Sequence, residues 1–305
     1  MGIVISDNLV AAFQGAEDAT AFAPRIGWRD IWRTGAVTAS SATQPPKLTQ
    51  NNLTYDGWVG DGSGDHWIAC STGEGPIDYL AIAAHELQNC AIVPQRLVGE
   101  NWVNMTPEVT IANRGPVVWY FTPQSAPAYR LRLSGATSSP AIGVIMAGRA
   151  TVPASGLPYG WQPPSLNQVV EGTNVISEGG QLLGRNIRRR GGRATCSLEG
   201  ISYPWARTQW EAFLEHAHRR GFFMWWSYES FFEVIYGGMT SQNAAFTEYN
   251  ILELSMTMEG VAHGADGSRG GGGHLIGGVA PYDPEMTWSE AGMVWDNDKM
   301  EWVSG

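Results

Sequence analysis

The sequence predicts a mainly β protein of two β-sandwich domains, the second with one flanking helix, followed by a repeated C-terminal tail. Three observations carry this expectation. The 305 residues include 14 Trp, 38 Gly and 17 Pro and show few long helical periodicities, a balance that favours short strands and turns. Between Ser40 and Gly148, short apolar runs alternate with turn residues at a spacing that suits an antiparallel sandwich. The chain then closes on three copies of a seven-residue unit, the last cut short: MTWSEAG from Met286, MVWDNDK from Met293 and MEWVSG from Met300. With 43% apolar and 16% charged residues the chain can bury substantial cores, and its length favours two domains.

The opening stretch, MGIVISDNLVAAFQGAEDATAFAP, has no basic region followed by a continuous apolar core, so secretion by the general route is not expected. No segment reaches the length of a membrane span. The runs DHWIAC, IDYLAIAAHEL, NCAIVPQRL, PVVWYFT, AYRLRLSG and AIGVIMAG read as strands of a first domain, residues 1–150, with an N-terminal extension. Pro153, Gly156, Pro158, Gly160, Pro163 and Pro164 then mark residues 151–166 as an extended connector.

The second domain, 167–264, opens with alternating residues on either side of Gly191 and Gly192, where a hairpin turn is expected. A helix is expected over 204–220. Ala206, Trp210, Phe213, Leu214 and Ala217 form one apolar stripe, Pro204 fits the first turn, Arg219 and Arg220 suit the C-terminal dipole, and Gly221 suits a left-handed cap. The segments FFMWWS, FFEVIYGG and YNILELSMTMEGV follow as strands. Residues 265–280 form a glycine-rich tether to the tail, 281–305. Met and Trp two positions apart share one side of a strand, so each tail unit reads as a brief strand and turn. Its apolar side chains have few neighbours, so the tail should complete its packing on another surface or subunit.

The formal net charge is −10, which argues against a general nucleic-acid or anionic-membrane binder. Cys70, Cys90 and Cys196 are an odd number without metal-ligand spacing and read as free buried thiols. His216 and His218 point to different helix faces and cannot form a metal pair, and His85 reads as a strand-end residue satisfied by backbone. Asp61, Asp65 and His66 read as a glycine-rich turn, short of a calcium loop. No GxSxG, HExxH or phosphate-loop motif occurs, so no catalytic residue, cofactor or metal is expected. The five arginines of RNIRRRGGR read as ion-pairing partners, with nucleic-acid contact disfavoured by the acidic surroundings.

On GTNVISEGGQLLGRNIRRRGG, SYPWARTQWEAFLEHAHRRGFFMWW and YNILELSMTMEGV, the second region resembles the tail-tube-like β-sandwich of distal tail and tail-hub proteins in long-tailed bacteriophages. On IDYLAIAAHEL, VPQRL, NW and AYRLRLSG, the first looks like a galactose-binding-type jelly roll, and the Trp units are similar to Trp-bearing repeats that end phage tail proteins. The resemblance implies a structural virion protein of the tail tip, made in the bacterial host cytoplasm. It would form a trimeric or hexameric homo-oligomeric ring that joins the tail tube to baseplate or receptor-binding proteins, with tube, hub and other tip proteins as partners. In that reading Arg185, Arg188, Arg189, Arg190 and Arg193 pair with carboxylates of a neighbouring subunit, while Trp288, Trp295 and Trp302 clasp an adjacent protein. An alternative from another class is a carbohydrate-binding adhesin that contacts host surface glycan, with Trp58, Trp67 and Trp102 as the sugar-contact candidates. A glycan-degrading enzyme is the least supported reading.

Overall fold

The computed structural model describes residues 3–5, 24–73, 75–87, 89–153, 163–164, 166–228, 231–262, 293–296 and 301–304. In chain order the strands are β1 Ile3–Ile5, β2 Arg25–Gly27, β3 Ala36–Ala39, β4 Trp58–Val59, β5 Gly64–Ser71, β6 Pro76–Glu86, β7 Ala91–Val98, β8 Asn101–Asn104, β9 Val109–Thr110, β10 Val117–Ser125, β11 Ala128–Ala136, β12 Ala141–Gly148, β13 Gln168–Ile176, β14 Leu182–Ser202, β15 Phe222–Tyr228, β16 Phe231–Glu248, β17 Ile251–Ala262, β18 Met293–Asp296 and β19 Glu301–Ser304. The protein is mainly β, as the composition implies.

The first region is a sandwich of two sheets, ordered β1-β10-β6-β12-β4 and β3-β5-β11-β7-β8, with β9 on β7. Its core forms where one face of each strand turns inward: Leu80 and Ile82 of β6, Trp119 and Phe121 of β10, Leu131 and Leu133 of β11, and Ile142 and Ile145 of β12, around Trp32 and Trp58. A half-buried strand alternates apolar and polar residues, and β11 does so, but β6 and β12 are buried along almost their whole length.

The reason lies on the other side of the five-stranded sheet. Tyr79, Ala81 and Ala83 of β6, Val118 of β10, and Val144 and Met146 of β12 pack on Phe223, Trp225, Val234 and Tyr236 of the second region. Trp225 sits at ring-centroid distances of 5.3 Å from Tyr79 and 5.8 Å from Tyr120. Polar contacts pin the same junction: Tyr236 Oη donates to the Asn52 carbonyl at 2.8 Å, and Trp28 Nε1 donates to Thr151 Oγ1 at 2.8 Å.

The second region is one six-stranded sheet ordered β13-β14-β17-β16-β15-β2. Its terminal strand β2 comes from the N-terminal extension and pairs with β15. One face, with Leu252, Leu254, Met256 and Met258 of β17, is covered by a helical run over 203–217. That run begins as a single α-turn, Tyr203–Trp205, with Ser202 Oγ accepting from the Trp205 amide, passes through a π-turn at Ala206–Trp210 and continues as α-helix over Glu211–Ala217. The expected stripe faces the sheet: Ala206, Trp210, Phe213 and Ala217 are buried, and Leu214 packs beside them.

Two local expectations are corrected. The hairpin turns at 177–181, not at Gly191 and Gly192, which pair within the strands to Val169 and Gln168. Ser177 closes the turn, its carbonyl accepting from Gly180 and its hydroxyl from Gln181, and Gly180 supplies the positive φ of +80°. Gly221 is not a left-handed cap. It is needed for space, since a Cβ there would lie 2.5 Å from Tyr236 Oη.

Residues 1–275 form one compact unit and 276–305 a second. In the second, β18 and β19 pair antiparallel with Trp295 opposite Trp302. The side chains of these two residues, Trp288, the tether at 265–280 and most of the connector fall outside the described residues.

Because the two regions share the cluster around Trp225, they should unfold together. Trp225→Ala should cost about 3–5 kcal/mol and shift one calorimetric transition as a whole; separate transitions, with the jelly roll unchanged, would refute the shared core. Asp30 lies at the same junction, where burial raises its carboxyl from 3.8 to about 7 although it accepts the Ala147 amide. The folded chain therefore holds that proton more tightly than the unfolded one. Asp30 weakens the fold progressively as pH rises from about 4 to about 7, by up to about 4 kcal/mol. Asp30→Asn should raise the melting temperature at pH 8 and leave it nearly unchanged at pH 4; an equal shift at both would contradict this.

Candidate functional site

The outward face of the five-stranded sheet is consumed by the second region, and the outward face of the other sheet, β3-β5-β11-β7-β8 with β9 on β7, reaches solvent at Arg132 and in part at Trp67, Trp102 and Arg130, while Ala69, Val93 and Gln95 on it are buried. The alternation of AYRLRLSG builds its centre: Tyr129, Leu131 and Leu133 point into the core, and Arg130 and Arg132 point out. Strand register then lines up their neighbours. Arg132 lies opposite Trp67 of β5 and Val93 of β7, and Arg130 lies opposite Ala69 and Gln95. On the edge strand, Asn104 lies opposite Gln95 and Trp102 opposite Leu97.

These residues form a linked array. Arg130 Nε donates to Gln95 Oε1 at 2.6 Å, and Gln95 Nε2 donates to Asn104 Oδ1 at 2.7 Å. The Arg130 guanidinium carbon sits 4.4 Å from the Trp102 ring centroid, a cation–π distance that holds both planes in place. Trp67 and Trp102 are each half-buried, and Arg130 covers one face of the Trp102 ring. Three strand spacings and four residues of register separate them, about 14 Å across and about 13 Å along the sheet, so roughly 20 Å apart. Gln95 is buried and braces the array from within, so two aromatic platforms with the Asn104 amide and the Arg130 and Arg132 guanidiniums beside them can stack flat rings and hydrogen-bond hydroxyls along an extended ligand.

Of the three tryptophans expected to contact sugar, the structure brings Trp67 and Trp102 onto this face and sends Trp58 elsewhere. Trp58 is 0% exposed in the sandwich core, and its Nε1 donates to the Ser41 carbonyl at 2.8 Å, so it has no surface for a ligand. Arg130, Arg132, Gln95 and Asn104 belong to no sequence motif, and the one local signal for them is the strict alternation on β11, which places both arginines on one side.

Of the arginines expected at an interface, two have described side chains, Arg185 and Arg193. Arg193 pairs with Glu259 of its own chain, Nε to Oε1 at 2.9 Å, because the two are opposite each other on β14 and β17. Arg185 is exposed near the hairpin end, and the side chains of Arg188, Arg189 and Arg190 fall outside the described residues.

The remaining titratable groups are held locally. His66 is buried between Ser41 Oγ at 3.1 Å and the Gly62 carbonyl at 3.3 Å, and Asp65 accepts the Gly135 amide at 3.0 Å. His85 is bonded to the Gly115 carbonyl, and burial lowers its pKa to about 4. Cys70, Cys90 and Cys196 are free and buried, with thiols pushed up to about 12, 11 and 12 by desolvation, which keeps them protonated and unreactive.

No family model matches the chain, and no curated protein matches it in sequence. Parts of several solved structures are similar to part of it. A putative alpha-L-fucosidase from Bacteroides thetaiotaomicron is 18% identical with a TM-score of 0.37, covering 41% of this chain and 29% of that one. Chitosan-binding module 1 of a chitosanase/glucanase from Paenibacillus sp. IK-5 is 15% identical with a TM-score of 0.35, covering 39% of this chain and 98% of that one. The lectin domain of lectinolysin, complexed with Lewis B antigen, is 10% identical with a TM-score of 0.34, covering 40% of this chain and 98% of that one. The chain thus spans less than a third of the fucosidase it matches, and all three likenesses are partial likenesses of fold.

Proposed function

We propose that the protein is a glycan-binding protein whose jelly roll recognises a polysaccharide on the outward face of its six-stranded sheet, acting by binding and not by cleavage. The observation that carries this reading is the pair of half-buried indoles, Trp67 and Trp102, flanking the Arg130–Gln95–Asn104 array. Stacking of sugar rings on the indoles would supply most of the affinity, and the Asn104 amide and the guanidiniums would orient the hydroxyls. A host surface glycan contacted during adsorption is the partner this face suits.

A second reading, a ring-forming structural protein of a bacteriophage tail tip and hence a virion component, has its own supporting observation. The second region's sheet ends at β13, beside which no further strand lies among the described residues, and β15 covers β16 only over 231–237. The distal part of β16 therefore offers a second free edge on the same sheet. Exposed apolar residues cluster at the two hairpin ends, Ile176 and Leu182 on one, Phe246 and Tyr249 on the other. Two free edges of one sheet allow head-to-tail strand addition between copies, the geometry that closes a ring. The two readings are compatible, with the ring displaying the jelly rolls.

The direct test of the first is retention on a panel of immobilised polysaccharides. Trp67→Ala and Trp102→Ala should each weaken binding at least about tenfold with little change in melting temperature, and Trp58→Ala should instead lower stability by about 3–5 kcal/mol. Unchanged binding in both surface variants would exclude this face. For the second, light scattering over a concentration series should give a discrete trimer or hexamer, and a monomer at every concentration and in the presence of tail-tube protein would count against it.

A further inference from the structure

Resting on the glycan-binding reading, the charge on this face narrows the ligand class. Arg130 and Arg132 are consecutive outward residues of β11, roughly 7 Å apart along the strand. Neither has a carboxylate partner among the described residues, whereas Arg114, Arg149, Arg193 and Arg207 each hold one. Asp65, two residues before Trp67 on β5, accepts the Gly135 amide at 3.0 Å. Two unneutralised guanidiniums thus stand side by side on a chain whose formal net charge is −10. Burial and the like charge of Arg132 both bear against the protonated form of Arg130, a cost that an arriving anion would relieve.

The geometry points to an acidic polysaccharide, a polymer of uronate sugars, as the ligand of this face, with ring carboxylates on Arg130 and Arg132 and sugar rings on Trp67 and Trp102. A planar carboxylate suits the flat guanidinium fork. Arg130 already spends its Nε on Gln95 and stacks on Trp102, so its terminal nitrogens are held in a fixed plane. An acidic polymer would be repelled by a chain of net negative charge and drawn to the paired arginines of this face, which gives the face orientation as well as affinity.

Affinity electrophoresis of the full chain in gels containing polygalacturonate, its fully methyl-esterified form, a neutral glucan or dextran sulfate tests this. Retardation by polygalacturonate should be at least about tenfold stronger than by the ester, should weaken in about 0.5 M salt, and should drop severalfold in Arg132→Gln, whose exposed side chain leaves the melting temperature unchanged. Equal retardation by acid and ester, or an unaffected Arg132→Gln, overturns the acidic-ligand inference. Retardation by the neutral glucan alone overturns it too while sustaining the glycan-binding reading, and retardation by none of the four defeats both. Binding of dextran sulfate that equals polygalacturonate and survives Trp67→Ala would mark simple ion exchange and also overturn it.

Discussion

Everything in the main unit depends on one sheet being buried on both faces. Strands β6, β10 and β12 give one side to the jelly-roll core and the other to Phe223, Trp225, Val234 and Tyr236. Burial of large aromatics is the strongest driving force available to a chain with few charges. Here it is concentrated where Trp225 meets Tyr79 and Tyr120. Gly27 is part of the same arrangement, since a Cβ there would stand 2.8 Å from the Trp225 ring. Close packing at that point leaves the N-terminal strand β2 free to complete the second region's sheet.

That burial also decides which surfaces can act. The first region cannot use its five-stranded sheet for a partner, which leaves the opposite sheet, whose outward face carries Trp67, Trp102, Arg130 and Arg132 among apolar neighbours such as Val93 and Leu97. In the second region the helix covers one sheet face and the jelly roll part of the other, so what remains available is edges: β13 and the distal part of β16. The proposed recognition face and the free sheet edges thus lie on different elements, and neither needs the other's residues. Arg193 illustrates the division, since its charge is satisfied within the sheet by Glu259.

How much of this the sequence reveals depends on how local the cause is. The helix was legible because five apolar residues at helical spacing and a Pro in the first turn are local signals, and all five pack as that spacing requires. The strands were legible as short apolar and aromatic runs set between turn residues, with residue-by-residue alternation only in some, such as β11. The turn was misplaced because Gly191 and Gly192 look like a turn in isolation, while their role is close approach to the neighbouring strand, with a Cβ on Gly191 only 3.0 Å from the Gly260 carbonyl. Gly221 was misread for the same reason. Burial of β6 on both faces could be seen as an unbroken apolar run, but the partner on its far side lies some 140 residues away and no local pattern names it. Trp58 and Trp67 are nearly adjacent and look alike, yet register sends one to the core and one to the surface. The array of Arg130, Gln95 and Asn104 comes from three strands and exists only once they are paired.

The central claim is that Trp67 and Trp102 form the ligand platform, and the indole N–H resonances of the protein test it directly. With signals assigned through single Trp→Phe variants, titration with a retained oligosaccharide should move the Trp67 and Trp102 indole peaks progressively and leave those of Trp58 and Trp225 in place, since these two are enclosed. Shifts confined to other tryptophans, with Trp67 and Trp102 unmoved at saturation, would contradict the account.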